Sequence, residues 1–418
     1  MVSLFFFYSF LCFVLLISEC FSSSFDHHLC SPTEASALLQ FKQSFQISDN
    51  FCCWDYESRH YDYPRTKSWI ESRDYCTWDG VTCDVLNGHV IALDLSCSQL
   101  FGTFHPNSSL FQLHHLQALN LAYNDFNPSS IPHNIGQLRN LRYLNLSWSS
   151  FDGKIPTEFS YLSNLVSLHR SGYDLQLDER TFETMLHNFT NLELLALPLV
   201  DILSPIPVNI SSSSLSLLKG VLPKIHPSNT LLKLDISFTG ISGELPDSIG
   251  TLSSLNYLNL HGCDFSGHIP DSIGNLTQIR ELWFWGNRFT GHIPSTISKL
   301  KYLTHLDLPS NSFSDEIPDV FSNLQQLRYF DLSDNSFIGP FPSSVLSLTN
   351  LEYLKLSRNS LSGLLPSNNQ LRVKDLHLSN NQLSGSFPQS LVNLTNLSTL
   401  DLSSNNITID EGMNITFS

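Results

Sequence analysis

A phrase with a fixed period of 24 residues, the distance from Leu303 to Leu327, is repeated along most of the chain. A clear copy begins at Leu303 and reads Leu-x-x-Leu-x-Leu-x-x-Asn-x-Phe. Such a period is typical of a solenoid, because a short repeat buries its few apolar side chains only against neighbouring repeats. We therefore predict one elongated domain. The asparagine position of successive copies is occupied by Ser98, Asn124, Ser149, Val200, Thr239, Cys263, Asn287, Asn311, Asn335, Asn359, Asn381 and Asn405.

Each copy also indicates its own local structure. Leu306 and Leu308 are spaced as the inward-facing residues of a short strand, with Asp307 facing outward. Asn311 follows at the turn, where its side chain satisfies backbone groups that the bend leaves unpaired. The second half of the repeat carries Gly-x-Ile-Pro, as in residues 291–294, and both Gly and Pro disfavour a helix interior. We expect an extended or turn segment there.

The repeat resembles the plant-specific leucine-rich repeat, LxxLxxLxLxxNxLxGxIPxxLxxL, over residues 90–406. Residues 76–83, CTWDGVTC, are similar to the cysteine-containing N-terminal cap of plant extracellular repeat proteins. Residues 93–100 and 107–113 are closer still to receptor-like proteins of the tomato Cf type. On these motifs the chain is identified as a member of that disease-resistance receptor family. It departs from the usual Cys-Cys of the cap, since Tyr75 precedes Cys76.

The resemblance implies an α/β repeat solenoid, a plant-type leucine-rich-repeat superhelix with a parallel sheet on the concave face and a helical, cysteine-containing N-terminal cap. We predict a signal peptide over residues 1–22, the cap over 23–88, and about 14 repeats over 89–418. The repeats are degenerate between 173 and 223, and the last repeat is incomplete. Because a solenoid needs a polar terminal cap, we expect the chain to be the N-terminal portion of a longer ectodomain.

An apolar run from Leu4 to Ile17 predicts a secretory signal peptide. No Lys or Arg precedes this run, so an anchor helix is the alternative, although about 17 residues is the short limit for spanning a bilayer. We favour cleavage, which predicts an extracellular, apoplastic location. The resemblance implies plasma-membrane attachment only through a C-terminal span that lies outside this chain.

The secretory route makes disulfides the expected state of most cysteines. Cys76 and Cys83 are the strongest predicted pair, because they are close in sequence and flank Trp78. Cys263 occupies an asparagine position and is expected to be a buried thiol. No spacing of cysteines or histidines favours a zinc site. The other pairings stay open among Cys30, Cys52, Cys53 and Cys97, with Cys30 to Cys52 or Cys53 as one plausible bond.

A helix is predicted in the cap. Residues 31–34, Ser-Pro-Thr-Glu, form a capping box with Pro at the first helical position. Leu38, Phe41 and Phe45 follow on one face. Trp54 and Trp69 of the next segment are expected to pack over the end of the solenoid, which would shield the first repeat from edge pairing.

Composition and motifs narrow the functional classes. A net charge of −16 argues against nucleic acid as a partner, because nucleic acid selects basic patches. The chain has no Gly-x-Gly-x-x-Gly after a strand, no Gly-x-Ser-x-Gly and no His-Glu-x-x-His. We therefore predict no enzymatic activity, no cofactor and no metal. The aspartates between the strand leucines are expected to form a solvated outward column, with members Asp235, Asp307, Asp331 and Asp401.

The Asn-x-Ser/Thr sequons predict N-linked glycans in the secretory pathway. A glycan blocks the surface that it covers, so binding is expected on bare surface. The sequons are at Asn107, Asn145, Asn188, Asn209, Asn275, Asn393, Asn396, Asn406 and Asn414.

Ligand recognition is expected on the outward positions of the concave sheet. Alternation places Trp283 and Trp285 outward together, and aromatic and Arg side chains dominate binding hot spots. The alternative is ordinary packing, in which tyrosines stack along the sheet and neighbours cover the indoles. The candidate ligand-binding residues are Tyr257, His261, Arg280, Trp283, Trp285, His305, Tyr329, Asp331, Tyr353 and Lys355.

The resemblance implies a function that the repeats alone do not. It implies the ligand-binding ectodomain of a plant receptor-like protein, which recognises a pathogen-derived or endogenous protein or peptide and signals through partner co-receptor kinases. The first alternative is a secreted inhibitor of a pathogen cell-wall-degrading enzyme, similar to polygalacturonase-inhibiting proteins. The second is a truncated, nonfunctional receptor fragment. A reading frame that continues into an acidic segment and an apolar span would favour the receptor.

Overall fold

The chain divides into two compact units, Met1–Ser150 and Phe151–Ser418. The computed structural model describes residues 32–48, 63–172, 175–203, 221–223, 230–365, 372–392 and 396–409. The predicted signal peptide, Trp54 and the cysteines at 30, 52 and 53 lie outside the described residues.

The first unit contains helix α1 and a sheet of parallel strands with one antiparallel strand, β2, at its edge. Strand β2 pairs antiparallel with β3, and β3, β5 and β7 are parallel neighbours. The bounds are α1 Pro32–Gln43, β1 Gln46–Ile47, β2 Val81–Cys83, β3 Val90–Asp94, β4 Leu100–Phe101, β5 Ala118–Asn120, β6 Ser129–Ser130 and β7 Tyr143–Asn145. Short 3-10 turns occupy Arg65–Ser68, Tyr75–Thr77, Ser109–Gln112 and His133–Gln137.

The predicted cap helix is confirmed as α1, and its apolar face is buried. Phe41 is fully buried, and Phe45 lies with its ring centroid 5.9 Å from that of Phe104 in the solenoid. The carboxylate of Glu34 accepts a hydrogen bond from the Val90 N–H at 2.9 Å. An acid in the first helical turn therefore connects α1 to the first parallel strand.

The segment after α1 covers the sheet with aromatic rings and a disulfide. Trp69 and Trp78 are both buried and stack at 5.5 Å between centroids. The predicted bond between Cys76 and Cys83 is present, with the two Cα atoms 5.5 Å apart. Cys97, whose pairing the sequence left open, is also disulfide-bonded. The cysteine-containing helical cap of the predicted fold is thus confirmed.

The second unit repeats one strand-turn-strand pattern. Its bounds are β8 Phe151–Lys154, β9 Ser167–His169, β10 Leu175–Asp178, α2 Glu179–Asn188, β11 Leu194–Ala196, β12 Asp201–Leu203, β13 Lys233–Asp235, β14 Ser242–Glu244, β15 Tyr257–Asn259, β16 Asp264–Gly267, β17 Glu281–Trp283, β18 Arg288–Gly291, β19 His305–Asp307, β20 Ser312–Phe313, β21 Tyr329–Asp331, β22 Tyr353–Lys355, β23 Ser362–Leu364, β24 Asp375–His377, β25 Gln382–Ser386, α3 Gln389–Val392, β26 Thr399–Asp401 and β27 Asn406–Thr408. Short 3-10 turns occupy Thr157–Tyr161, Asp247–Thr251, Asp271–Asn275, Ser295–Lys299, Phe321–Asn323 and Ser343–Ser347.

A long parallel sheet forms one side of the second unit, in the order β9, β11, β13, β15, β17, β19, β21, β22, β24, β26. Its inward leucines are buried as predicted, with Leu306 and Leu308 at 1% and 0% exposure. The second halves of the repeats contain extended segments, also as predicted, and these form the parallel rows β8-β10-β12, β14-β16-β18-β20 and β23-β25-β27. We call the solvent side of the long sheet the sheet face.

The core of the second unit contains a stack of phenylalanines from successive repeats. Phe265, Phe289, Phe313 and Phe337 are fully buried, with neighbouring centroids 5.5 to 6.3 Å apart. Each follows the asparagine position by two residues. The stack therefore fixes the register of one repeat against the next, which is the packing that a single repeat cannot provide.

The asparagine position forms the predicted hydrogen-bond ladder. Asn287 lies at 7% exposure, and its Oδ1 accepts from the Phe265 N–H at 3.0 Å. Its Nδ2 donates to the carbonyls of Leu260 at 2.8 Å and Phe284 at 3.0 Å. One amide thus satisfies backbone groups of its own turn and of the preceding turn. The same pattern is made by Asn124, Asn311, Asn335, Asn359, Asn381 and Asn405.

Smaller residues at this position keep part of the ladder. Thr239 donates its hydroxyl to the Ile236 carbonyl at 2.8 Å, and the sulfur of Cys263 lies 3.1 Å from the same oxygen. Cys263 is a free, buried thiol, as predicted, and burial raises its pKa. Its packing role therefore accounts for its position in the sequence.

The prediction of a solvated aspartate column is wrong. Asp235, Asp307 and Asp331 are exposed by only 8%, 7% and 5%. Oδ1 of Asp331 accepts from the backbone N–H of Ser333 at 2.9 Å, which folds the carboxylate back onto the strand end. Neighbouring strands about 4.8 Å apart then cover it. The column is therefore a structural feature of the sheet, although Asp401 is half-buried.

Candidate functional site

Strand β17 and the residues after it give the sheet face its largest aromatic side chains. Leu282 and Phe284 are buried at 1% and 0% exposure, as the strand alternation predicts. Trp283 and Trp285 consequently lie on the opposite side. Trp285 is 40% exposed, whereas Trp283 is half-buried. The two indoles share a face but differ in their surroundings.

Trp283 begins a row of rings that crosses adjacent strands, which we call the aromatic row: Trp283, His305, Tyr329 and Tyr353. Trp283 lies 5.6 Å from His305 and 6.2 Å from Tyr329, centroid to centroid. Tyr329 lies 5.9 Å from His305 and 6.0 Å from Tyr353. The indole Nε1 donates to Glu281 Oε2 at 3.0 Å, which fixes the ring. Neighbouring side chains thus partly cover Trp283, and the row presents a pre-ordered aromatic surface.

Trp285 belongs to a second group of rings. His261 lies 3.9 Å from Trp285 and 4.4 Å from Phe238, centroid to centroid. Phe238 is 49% exposed, and a Cβ on Gly262 would come within 2.5 Å of its ring, so only glycine admits this arrangement. Burial lowers the pKa of His261 to about 4, so its ring is neutral at neutral pH. Sequence reasoning missed Phe238, although it directly precedes the asparagine position occupied by Thr239.

Lys355 and Asp331 meet at the hydroxyl of Tyr329. The Tyr329 hydroxyl donates to Asp331 Oδ2 at 3.0 Å and accepts from Lys355 Nζ at 3.3 Å. Nζ also lies 3.8 Å from Asp331 Oδ2 and 5.2 Å from the Tyr329 ring centroid. Burial, then the charges of Asp331 and Asp307, raise the pKa of Tyr329. These three predicted residues are brought together, but Asp331 is buried beneath the face.

Tyr257 and Arg280 lie on the other side of the row. Tyr257 is half-buried, with Lys233 Nζ 5.7 Å from its ring centroid. The side-chain amide of Asn259 donates to its hydroxyl at 3.3 Å. Burial, and then the charges of Asp235 and Glu281, raise the pKa of Tyr257. Arg280 is exposed just before β17, so its guanidinium is available to solvent.

Comparison with known proteins identifies the repeat and the cap. A leucine rich repeat N-terminal domain model matches residues 31–84. Leucine rich repeat models match residues 112–130, 140–162, 230–252, 254–276, 277–337, 350–370, 372–394 and 393–413. Receptor-like protein 6 of Arabidopsis thaliana is 40% identical over 274 residues, and Receptor-like protein Cf-9 of Solanum pimpinellifolium is 40% identical over 258 residues. The chain belongs to the plant leucine-rich-repeat receptor-like proteins.

These matches cover part of each relative. The alignments span 55% and 60% of this receptor-like protein, but only 28% and 27% of the two relatives. Among solved structures, a TDR receptor superposes with a TM-score of 0.64 at 29% identity, over 75% of this chain and 51% of that one. The plant peptide hormone receptor RGFR1, solved in complex with RGF2, gives 0.62 at 26% identity, over 79% and 61%. The predicted fold class is thereby confirmed.

The sequons of the receptor-like protein differ in exposure. Asn145 is only 8% exposed, and its Oδ1 accepts from the Ser147 N–H at 3.0 Å. Asn188 is half-buried at the end of α2. Asn209, Asn393 and Asn414 lie outside the described residues. The exposed sequons are Asn107, Asn275, Asn396 and Asn406.

Two kinds of feature are absent from the described residues of the receptor-like protein. Within them, no group of three or more His, Cys, Asp or Glu side chains is placed to hold a metal ion. None of the helices in the described ranges has the length and hydropathy of a membrane span.

Proposed function

We propose that this receptor-like protein recognises an extracellular protein or peptide through the sheet face of its second unit. The observation that carries the proposal is the aromatic row, with the exposed rings of Trp285 and Phe238 beside it. Rigid aromatic side chains bury large areas at a low cost in conformational entropy, and they dominate binding hot spots. A pre-ordered row lowers that cost further.

The relatives support the same kind of role. RGFR1 is described as a peptide hormone receptor and was solved with RGF2, and Cf-9 is a receptor-like protein. We propose by analogy that this chain acts in the secretory pathway and outside the cell, as part of a receptor that signals through co-receptor kinases. The pathogen-derived or endogenous origin of the ligand is part of this proposal. Attachment of the receptor to the plasma membrane is also part of this proposal.

The test uses peptides selected on the wild-type protein. The secreted full chain is used to select binders from a displayed library of random peptides, and the affinity of each is then measured for Trp283→Ala/Trp285→Ala. We expect the double variant to lose at least about 2 kcal/mol of binding free energy, because two hot-spot rings are removed. Binding of the same peptides at unchanged affinity would overturn the proposal.

A matched control separates recognition from folding. Tyr161 is 54% exposed in the 3-10 turn at Thr157–Tyr161, away from the sheet face. Tyr161→Ala should leave both secretion and peptide affinity unchanged. If the tryptophan variant is retained in the cell while Tyr161→Ala is secreted, the indoles serve packing instead. Inhibition of a fungal polygalacturonase by the wild-type chain, lost in the tryptophan variant, would assign the surface to an enzyme inhibitor.

A further inference from the structure

The Asp and Asn side chains that follow the central, inward-facing residue of a strand share one hydrogen bond. In each case Oδ1 accepts from the backbone N–H two residues later, at 2.9 to 3.2 Å. The bond closes a small turn at the strand end and satisfies a buried acceptor. We call these residues the capped column: Asp94, Asn120, Asn145, Asp235, Asn259, Asp331 and Asp401.

Asp307 occupies the same position but lacks this bond. Two residues later stands Pro309, which has no N–H to donate. Asp307 is only 7% exposed, and its Oδ1 has no hydrogen-bond partner among the residues that the structure describes. A buried acceptor without a partner costs about 1–3 kcal/mol, and more when it is charged. The second unit therefore maintains an unsatisfied carboxylate oxygen beneath the aromatic row.

The neighbouring charges leave Asp307 uncompensated. Asp331, its register partner on β21, already accepts from Ser333 N–H and Oγ–H and from the Tyr329 hydroxyl. Lys355 pairs with Asp331. Burial, followed by the charge of Asp331, raises the pKa of Asp307 to about 7, and Lys355 only partly opposes this. Among the described residues, no cation forms an ion pair with the Asp307 carboxylate.

The rings above Asp307 suit a planar cation. On β17 the register partner of Asp307 is Trp283, whose ring lies 5.6 Å from that of His305 and 6.2 Å from that of Tyr329. Aromatic faces attract cations, and a guanidinium also stacks on them. The same group can donate to a carboxylate through a charge-assisted hydrogen bond, which is about twice as strong as a neutral one. Both requirements are met at one place on the sheet face.

We propose that Asp307 Oδ1 is the acceptor of a subsite for the guanidinium of an arginine side chain on the ligand, flanked by Trp283 and Tyr329. This inference rests on the proposed function, because it names the ligand chemistry of the same surface. Asp307 is covered in the structure, so side chains around it must move for the guanidinium to reach Oδ1. Binding then supplies the donor that Pro309 withholds.

The test uses small probes on the secreted full chain. N-acetylarginine methylamide, its neutral isostere N-acetylcitrulline methylamide and the corresponding lysine probe are titrated by ligand-observed NMR at a pH above the raised pKa of Asp307, where its carboxyl is ionised. We expect the arginine probe to bind at least about tenfold more tightly than the citrulline probe, because only the cation pairs with the carboxylate. Equal affinities for arginine and citrulline would overturn the proposal. A lysine probe that binds as tightly as arginine would overturn the guanidinium assignment.

Three variants locate the effect. Asp307→Asn should abolish the preference for arginine. Pro309→Ser restores an N–H to cap Oδ1, as Ser333 does for Asp331, and should weaken arginine binding severalfold while keeping the carboxylate. Asp235→Asn is the matched control, because Asp235 is already capped by Ser237 and asparagine occupies the same position elsewhere in the column. Equal effects of the Asp307 and Asp235 variants would overturn the subsite.

The proposed function and the subsite fail differently. If Trp283→Ala/Trp285→Ala loses the selected peptides while Asp307→Asn keeps its arginine preference, the recognition surface stands and the subsite is wrong. If the tryptophan variant keeps the peptides while Asp307→Asn loses the arginine probe, the subsite stands and the proposed recognition surface is wrong.

Discussion

Replacing the ladder residue Asn287 by alanine should destabilise the contact between two successive repeats. The change removes the acceptor of the Phe265 N–H and the donor to the Leu260 carbonyl, both in the preceding repeat, together with the donor to the Phe284 carbonyl. All three bonds are buried. The methyl group of alanine can replace none of them.

The magnitude follows from the groups left without partners. An unsatisfied buried backbone group costs about 1–3 kcal/mol. The Phe265 N–H is left without an acceptor for its one hydrogen, whereas a carbonyl has a second lone pair and loses less. We therefore expect Asn287→Ala to cost about 3 kcal/mol. Asn287→Thr should cost somewhat less, because Thr239 shows that a hydroxyl at this position still donates to the carbonyl three residues earlier, at the end of its own strand.

Native-state hydrogen exchange measures this cost locally, which suits a solenoid whose repeats interact mainly with their neighbours. A loss of about 3 kcal/mol corresponds to roughly a 100-fold loss of protection. We expect that loss in peptides covering residues 255–290 and little change over 350–365. The matched control is Asn323→Ala, because Asn323 is exposed in a 3-10 turn. Equal exchange in the Asn287 and Asn323 variants would refute the ladder argument.

Two further predictions concern the cap and the buried carboxylate. Cys76→Ser removes the disulfide to Cys83 and should destabilise the cap by about 2–5 kcal/mol, which limited proteolysis can measure. If peptide mapping of the secreted wild-type protein finds both cysteines as free thiols, this prediction is wrong. The pKa of Asp307 is raised from 3.8 to about 7, so between these values the folded protein holds a proton that the unfolded chain releases. The contribution of Asp307 to the unfolding free energy therefore falls as the pH rises from about 4 to 7, and it is constant above that range. The unfolding free energy of wild type minus that of Asp307→Asn should therefore fall across that window, and a difference independent of pH would exclude a raised pKa.

The features set by local pattern were predictable from the sequence. The strand leucines, the asparagine turn and the cap helix each depend on residues within one repeat, so spacing alone indicated them. The burial of Asp331 was not predictable in this way, because strands one repeat away on either side cover it. Helix α2 was also missed, since it interrupts the stretch where the period is degenerate. Contacts between repeats therefore account for most of what the pattern left open.

The capped column shows why the candidate site emerged only with the structure. From β13 to β21 the strand position of the capped column is occupied in turn by Asp235, Asn259, Trp283, Asp307 and Asp331. On β17, Trp283 stands where other strands have the accepting Asp or Asn. On β19, Asp307 keeps the accepting carboxylate, but Pro309 has no N–H to donate to it. Each of these two substitutions alone removes one capping hydrogen bond. Together they place an aromatic face beside an unsatisfied carboxylate, and departures from a consistent local rule are expected where function competes with stability.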